Sequence, residues 1–271
     1  MLFSDALVLM RGGGDLATGA AIRLVRAGFP LVITELAYPL SVRLEVALSS
    51  AVPRGEFEVE GVRAVRAASP AEAAALAASA LAAVLIDPQG ASIPSLNPRI
   101  LIDARMVKAP EDKPWASAPL VIGLGPGFAA GSNCHAVVET NRGPSLGRVY
   151  WQGKAEGNTG RPEAVMGVDY ARVLRAPKAG TIRTLAMIGD AVVAGQAVAA
   201  VEGESVRTQV AGVLRGLIAD GTEVWGGLKI GDIDPRGRRE HCFMVSDKAL
   251  AVGGGVLEAV LTWLNKRPLR P

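Results

Sequence analysis

A glycine triplet, Gly12-Gly13-Gly14, stands between the apolar run ALVLMR and an amphipathic stretch that opens with Asp15. Gly12-x-Gly14-x-x-Ala17 satisfies the spacing G-x-G-x-x-G/A, at which a strand-to-helix turn receives a pyrophosphate. Glycines let backbone N–H groups approach phosphate oxygens, and the helix N-terminus adds about half a positive elementary charge. Glu35 ends the next apolar run, LVITE, near the position where an acid accepts hydrogen bonds from a ribose diol. NAD or another nucleotide is therefore the expected ligand, with Gly12, Gly13, Gly14, Asp15, Thr18 and Glu35 shaping its site. Asp15 complicates this reading. Its carboxylate either caps the helix, competing with a phosphate for the same donors, or turns aside toward Arg11 or onto a ligand hydroxyl or ammonium. A P-loop is excluded, because Ala20 and Ala21 stand where Lys and Ser/Thr are required.

Further chemistry-bearing residues follow other apolar runs. Asp87 comes after AVLI and Asp103 after ILI, and the turn Gly125-Pro126-Gly127 follows LVIGL. In an open parallel sheet the carboxyl ends of the strands border the ligand crevice, so these positions should share a rim with the glycine triplet. Asp103 is a candidate catalytic acid. Downstream, GSNCHAVVETNRG gathers Cys134, His135, Glu139, Asn141 and Arg142. Cys134 and Cys242 are candidates for a redox or ligand role, although adjacent strand residues point apart, so Cys134 and His135 are not a nucleophilic pair. Arg142 is suited to an anionic ligand. Two cysteines and two histidines fit no metal-ligand spacing, and no metal site is expected.

The elements that must position these residues divide the chain at about 145 and 235. Residues 1–145 alternate short apolar strands with helices, which argues an α/β, Rossmann-like, doubly wound and mostly parallel sheet. A helix is expected from Asp15 to Ala27, stopped by Gly28, and another from about Ser41 to Ser49. EFEVEGVRAVRA reads as a hairpin turning at Glu60-Gly61, and an alanine-rich helix leads into AVLID. Residues 146–235 contain an internal repeat. Segments 179–201 and 211–233 align without gaps 32 residues apart, matching Gly180 with Gly212, Gly189 with Gly221 and Gly195 with Gly227. Residues 236–271 end in a helix capped by Ser246 or Asp247. Its Gly253-Gly254-Gly255 costs about 1 kcal/mol per glycine relative to alanine, so a close helix contact or an approaching ligand is expected there.

The repeat resembles the biotinyl/lipoyl domain, an all-β barrel-sandwich of two pseudo-symmetric halves. The hairpin where that family carries its modified lysine is VEGESVRTQV, and no lysine lies between Lys178 and Lys229. Neither biotin nor lipoate is expected. Together RGGGDLATG, GLGPGF, ETNRGPSLGRV, GDIDPRG and SDKALAVGGGVLEA are similar to the selenium-dependent molybdenum hydroxylase system protein family, over Leu7 to Leu261. The resemblance implies an accessory role in maturing molybdenum hydroxylases, with a first domain similar to the Rossmann part of XdhC-type factors. It further implies a molybdopterin-type cofactor as an alternative ligand, and an apo-hydroxylase or another maturation factor as partner. Sulfur or selenium held on Cys134 or Cys242 would belong to the same role. Two other readings stand beside it: an NAD-dependent oxidoreductase of a small molecule, and a non-catalytic scaffold with a structural glycine loop.

Composition narrows the field. With 271 residues, 49% hydrophobic and 20% charged, the chain can build a substantial core. Net charge is +3 without a basic run, and aromatics are 4%, which argues against nucleic-acid binding. Two cysteines suit a reducing cytoplasm, and neither a signal peptide nor a membrane span is expected. Assembly into a homo-oligomer is left open.

Overall fold

The computed structural model describes residues 1–107, 117–157, 160 and 164–265. The chain divides into two units: 1–37, 48–158 and 245–271 form unit 1, and 38–47 with 159–244 form unit 2.

Unit 1 is built on one sheet of nine strands. In chain order these are β1 (Val8–Arg11), β2 (Leu31–Glu35), β3 (Glu56–Val59), β4 (Val62–Ala67), β5 (Ala82–Ile86), β6 (Ile100–Asp103), β7 (Leu120–Leu124), β9 (Ala136–Val138) and β10 (Val149–Tyr150). Two short segments, β8 (Ala129–Ala130) and β11 (Gly153–Lys154), form a separate ribbon. Across the sheet the order is β10-β9-β7-β6-β1-β2-β5-β4-β3. The seven inner strands, from β9 across β7, β6, β1, β2 and β5 to β4, pair in parallel, while β3 and β10 close the two edges antiparallel. β1, β2, β6 and β7 are buried along their whole length, as strands covered on both faces must be.

This arrangement corrects the Rossmann-like fold class. The sheet is large and mixed, and part of its helical cover comes from outside the strand-helix-strand succession. The helix α5 (Asp247–Asn265), last among the described residues, packs along α1 (Asp15–Ala27) and reaches β7, β9 and β10. A helix was also expected over Ser41 to Ser49, and two 3₁₀ turns, Leu44–Val46 and Leu48–Ser50, stand in its place. The amides that a helix would use are drawn elsewhere: Leu48 N donates to Thr18 Oγ1 at 2.9 Å and Ser49 N to Gly13 O at 2.9 Å. Short α2 (Ala51–Arg54) follows.

Several local elements follow directly from residue chemistry. The β3–β4 hairpin turns on Glu60 (φ 48°) and Gly61 (φ 80°), the left-handed pair of a type I′ turn. The alanine-rich helix α3 (Pro70–Ala78) opens with Ser69, which accepts from Glu72 N at 3.2 Å, while Glu72 reaches back to Ala68 N at 2.8 Å. A single turn, α4 (Ile93–Leu96), precedes β6. The glycines of α5 are explained by α1: a Cβ on Gly253 would lie 2.4 Å from Gly19 O, and one on Gly19 2.2 Å from Ala249 O. Gly255 is equally confined, at 2.1 Å from Gly147 O, but around Gly254 the space is open.

Unit 2 is a β domain of two four-stranded antiparallel sheets. Its strands are β12 (Val173–Arg175), β13 (Gly180–Thr184), β14 (Ala191–Val192), β15 (Ala197–Val201), β16 (Glu204–Arg207), β17 (Gly212–Leu217), β18 (Glu223–Val224) and β19 (Lys229–Asp234). The sheets run β12-β19-β17-β14 and β16-β15-β13-β18. The 32-residue repeat is visible in the pairing. β13 pairs with β18 through Gly180 and Val224, while β14 pairs with β17 through Val192 and Gly212. Each repeat therefore lends its short strand to the sheet of the other, around a shared core that includes Ile182, Val198, Leu214 and Ile230.

Candidate functional site

The carboxyl ends of β1, β2, β6 and β7 place most of the sequence-predicted positions of unit 1 along one rim. At its centre is the turn from β1 into α1. Gly12 takes φ 91° and donates to Thr34 O at 2.8 Å; a Cβ there would approach Ala104 O at 3.2 Å. Gly13 N donates to Glu35 Oε1 at 2.7 Å, and Leu36 N donates to Glu35 Oε2 at 2.8 Å. Both carboxylate oxygens of Glu35 thus hold backbone, and its side chain is buried. Burial pushes its pKa up, partly offset by the bonds from Gly13 and Leu36. Glu35 is placed to lock the glycine turn.

Thr18 is fully buried and equally committed: its hydroxyl donates to Gly14 O at 2.9 Å while accepting from Leu48 N. Gly14 itself is the N-cap of α1, extended at φ −65° and ψ −176°, with no side-chain cap bond. Asp15 is the first helical residue and has an interaction partner of its own. Gly14 has no side chain with which to cap the first turn of α1, which stands beside a pinned loop.

Asp103, at the end of β6, has no exposed surface. Arg105 clasps it, Nε to Oδ1 at 3.0 Å and Nη2 to Oδ2 at 2.5 Å, with Arg105 N also donating to Oδ1 at 3.2 Å. Arg105 is the rim residue that sequence reading missed. The available signal was its place two residues after a strand-ending aspartate. Asp87 accepts from Ala91 N, Ser92 N and the Ser92 hydroxyl. Burial works to raise its pKa, but these bonds outweigh burial and lower it.

The Gly125–Gly127 turn lies beyond β7. Gly125 (φ 73°) donates to Val138 O at 2.9 Å, and a Cβ on it would strike Thr140 Oγ1 at 2.3 Å. Pro126 is half-buried, and Gly127 O accepts from Asn133 Nδ2 at 3.0 Å. Phe128 folds back over Gly123, whose missing side chain leaves room for the ring. Arg142 engages Asp247 at the start of α5 with two bonds of 2.7 and 2.8 Å. Glu139 is buried and accepts from Thr140 N, Asn141 N and Glu156 N, each at 2.7 Å.

The cysteines and histidines are not gathered at the rim. Cys134 is buried among Leu101, Val121 and Phe128, and burial pushes its thiol up to about 11. His135 accepts from Val121 N at 2.9 Å, at the amino end of β7, and burial lowers its pKa. Cys242 belongs to unit 2, where its sulfur donates to Leu214 O at 3.8 Å. Burial raises its pKa, while Arg43 and Arg215 pull it back. Among the described residues no group of three or more His, Cys, Asp or Glu is placed to hold a metal ion, and no helix is long and apolar enough to cross a membrane.

No family model matches the chain. It is 45% identical over 260 residues to the uncharacterized protein YqeB of Escherichia coli strain K12, an alignment covering 96% of this chain and 48% of that protein. The chain thus spans about half the length of that curated relative. Among solved structures it is similar to an aspartoacylase family protein from Mesorhizobium loti, at 12% identity and TM-score 0.27, with 84% of each chain covered. A succinylglutamate desuccinylase/aspartoacylase from Rhodobacter sphaeroides follows at 13% and 0.29, again with 84% of each chain covered. The ectoine utilization protein EutE (DoeB) from Ruegeria pomeroyi stands at 12% and 0.25, with 84% of this chain and 85% of that one covered.

These findings correct the resemblance to the selenium-dependent molybdenum hydroxylase system family. No family model matches, and the relative that aligns over most of this chain is not described as an XdhC-type factor or a hydroxylase maturation protein. The strings that carried the resemblance have structural uses here. RGGGD closes a strand-helix turn against β6, and GLGPGF lets Phe128 cover Gly123. VGGGV seats α5 on α1.

Proposed function

We propose that unit 1 binds a small phosphate-bearing ligand, a nucleotide in the first instance, at the amino end of α1. One observation carries the reading: the N-cap of α1 is Gly14, which brings no side chain of its own to the helix terminus, on a loop already held in place by Glu35 and Ser49. A loop fixed before the ligand arrives loses little conformational freedom on binding. The helix terminus supplies N–H donors and a partial positive charge to an anion. Glu35 acts from behind the loop and does not meet a ribose. Asp15 opposes the charge of the ligand and sets a modest affinity. The two buried free thiols fit a reducing compartment, and cytoplasmic residence is part of this proposal.

The test is thermal unfolding against ATP, CTP, NAD, NADP and inorganic phosphate. A ligand at about 100 times its dissociation constant adds roughly 2.7 kcal/mol. Stabilisation by at least one nucleotide, strengthened several-fold in Asp15→Asn and lost in Gly14→Val, is expected. No stabilisation by any of them, or equal binding in Asp15→Asn, overturns the reading.

A further inference from the structure

Unit 2 contains a cavity of about 370 Å³ between the 3₁₀ turn Tyr170–Arg172, β12 and β16. Its polar lining comprises Tyr170, Arg175, Ser205, Arg207 and Gln209, over apolar Val173 and Leu174. The 32-residue repeat, extended back to Val173, accounts for its plan. Val173, Leu174, Arg175 and Pro177 of one copy correspond to Ser205, Val206, Arg207 and Gln209 of the other, and all eight line the cavity. The two arginines are anchored reciprocally. Arg175 Nη1 donates to Gly227 O at 2.8 Å, and Arg207 Nη1 donates to Gly195 O at 2.8 Å, Gly195 and Gly227 being equivalent glycines of the repeat. The cavity therefore lies where the two copies meet, with one arginine supplied by each.

We propose that this cavity is a ligand site for a small organic anion with two acidic groups and an apolar middle. No acidic side chain lines it, so two guanidinium groups share one concavity without a neutralising partner in the lining. Both arginines are exposed, and their positive charges favour an anion in the concavity they line. The carbonyl bond of each arginine uses one of five N–H donors and orients the fork; the others can bind an anionic oxygen bidentately. Two such forks in equivalent settings match a ligand with two acidic ends. Val173 and Leu174 provide an apolar floor for the carbons between them. The volume falls at the lower end of the range for small-molecule sites, about 300 to 1,000 Å³.

The site is independent of the α1 rim and is tested in the full chain by ¹⁵N NMR titration with glutarate, with butyrate and inorganic phosphate as comparators. Glutarate is expected to shift the amides of Arg175, Ser205, Arg207 and Gln209 and to bind at least tenfold more tightly than butyrate. Arg175→Gln and Arg207→Gln should each weaken glutarate at least tenfold, and by similar factors. Gly14→Val should leave its affinity unchanged, which separates this proposal from the nucleotide reading. Shifts confined to other amides, equal binding of butyrate, tighter binding of phosphate, or full glutarate affinity in either arginine variant overturns it. Localised shifts in the unsubstituted protein keep the test decisive even where a variant folds poorly.

Discussion

Asp103-Ala104-Arg105 and Asp234-Pro235-Arg236 repeat one pattern in the two units: a strand ends in aspartate, one residue intervenes, and an arginine folds back onto the carboxylate. The geometry is nearly the same. Arg236 binds Asp234 through Nε to Oδ1 at 2.9 Å, Nη2 to Oδ2 at 2.6 Å and its own amide at 3.0 Å, much as Arg105 binds Asp103. Both aspartate side chains are wholly buried, yet Arg105 is 24% exposed and Arg236 40%. Their surroundings differ more. Around Asp234 stand Arg215 and His241, the latter with Nδ1 3.9 Å from Oδ2, whereas the Asp103 fork abuts the glycine turn and the apolar pocket of Cys134. The same Asp-x-Arg pattern thus ends a strand beside the glycine turn in one unit and joins a charge network with Arg215 and His241 in the other. A strand-ending aspartate is therefore a poor indicator of catalysis until its neighbours are known.

The largest effect should come from removing the arginine that has the fewest substitutes. Arg105→Ala strands a fully buried carboxylate and is expected to cost about 3 kcal/mol, the usual loss when one partner of a buried pair is removed. Arg236→Ala should cost about 1.5 kcal/mol, because Arg215 still favours the charged form of Asp234. Urea unfolding of the two variants measures this order. Equal losses would show that the fork alone, and not its surroundings, sets the energy.

A parallel contrast within one helix gives a smaller but cleaner pair. Gly253→Ala puts a Cβ against the backbone of Gly19, which cannot swing away, and should destabilise by about 1 to 3 kcal/mol. Its neighbour Gly254 faces open space, so Gly254→Ala should stabilise by up to about 1 kcal/mol through helix propensity. Melting temperatures moving in the same direction would remove the packing explanation for the triplet.

These cases show how much was legible. Signals that act within a few residues could be read: the Glu60-Gly61 turn, the Gly28 stop of α1 and the glycine spacing of the repeat. The repeat also set the lining of the unit 2 cavity, but recognising that required the strand exchange, which no single copy of the sequence displays. Contacts across the chain were not readable. Glu35 sits at the spacing of a ribose acceptor, yet Gly13 and Leu36 occupy its oxygens, because a buried carboxylate takes the nearest unpaired amides. Arg142 looked available for an anion and is instead held by Asp247, about a hundred residues on. The docking of α5 on α1 likewise depends on contacts remote in sequence.

The smallest effect is a difference in pH dependence. Burial works against the charge on Asp234, but the bonds and positive charge of Arg236, together with Arg215, lower its pKa below the usual carboxylate value. A carboxylate with a depressed folded pKa contributes stability that is present above its unfolded pKa, near 4, and lost as pH falls through the folded value. The penalty of Arg236→Gln should therefore be complete at pH 7 and shrink as pH falls from the unfolded value toward the folded one. Glu35 has the opposite sign. Its pKa is raised in the fold by burial, so between the unfolded and folded values stability falls as pH rises, and protonation relieves the burial of its charge. Carboxyl ¹³C titration of the two side chains reads both shifts directly. If Asp234 and Glu35 titrate together, the fork and the glycine-turn lock are equivalent electrostatically, and the distinction between the two kinds of strand-end acid fails.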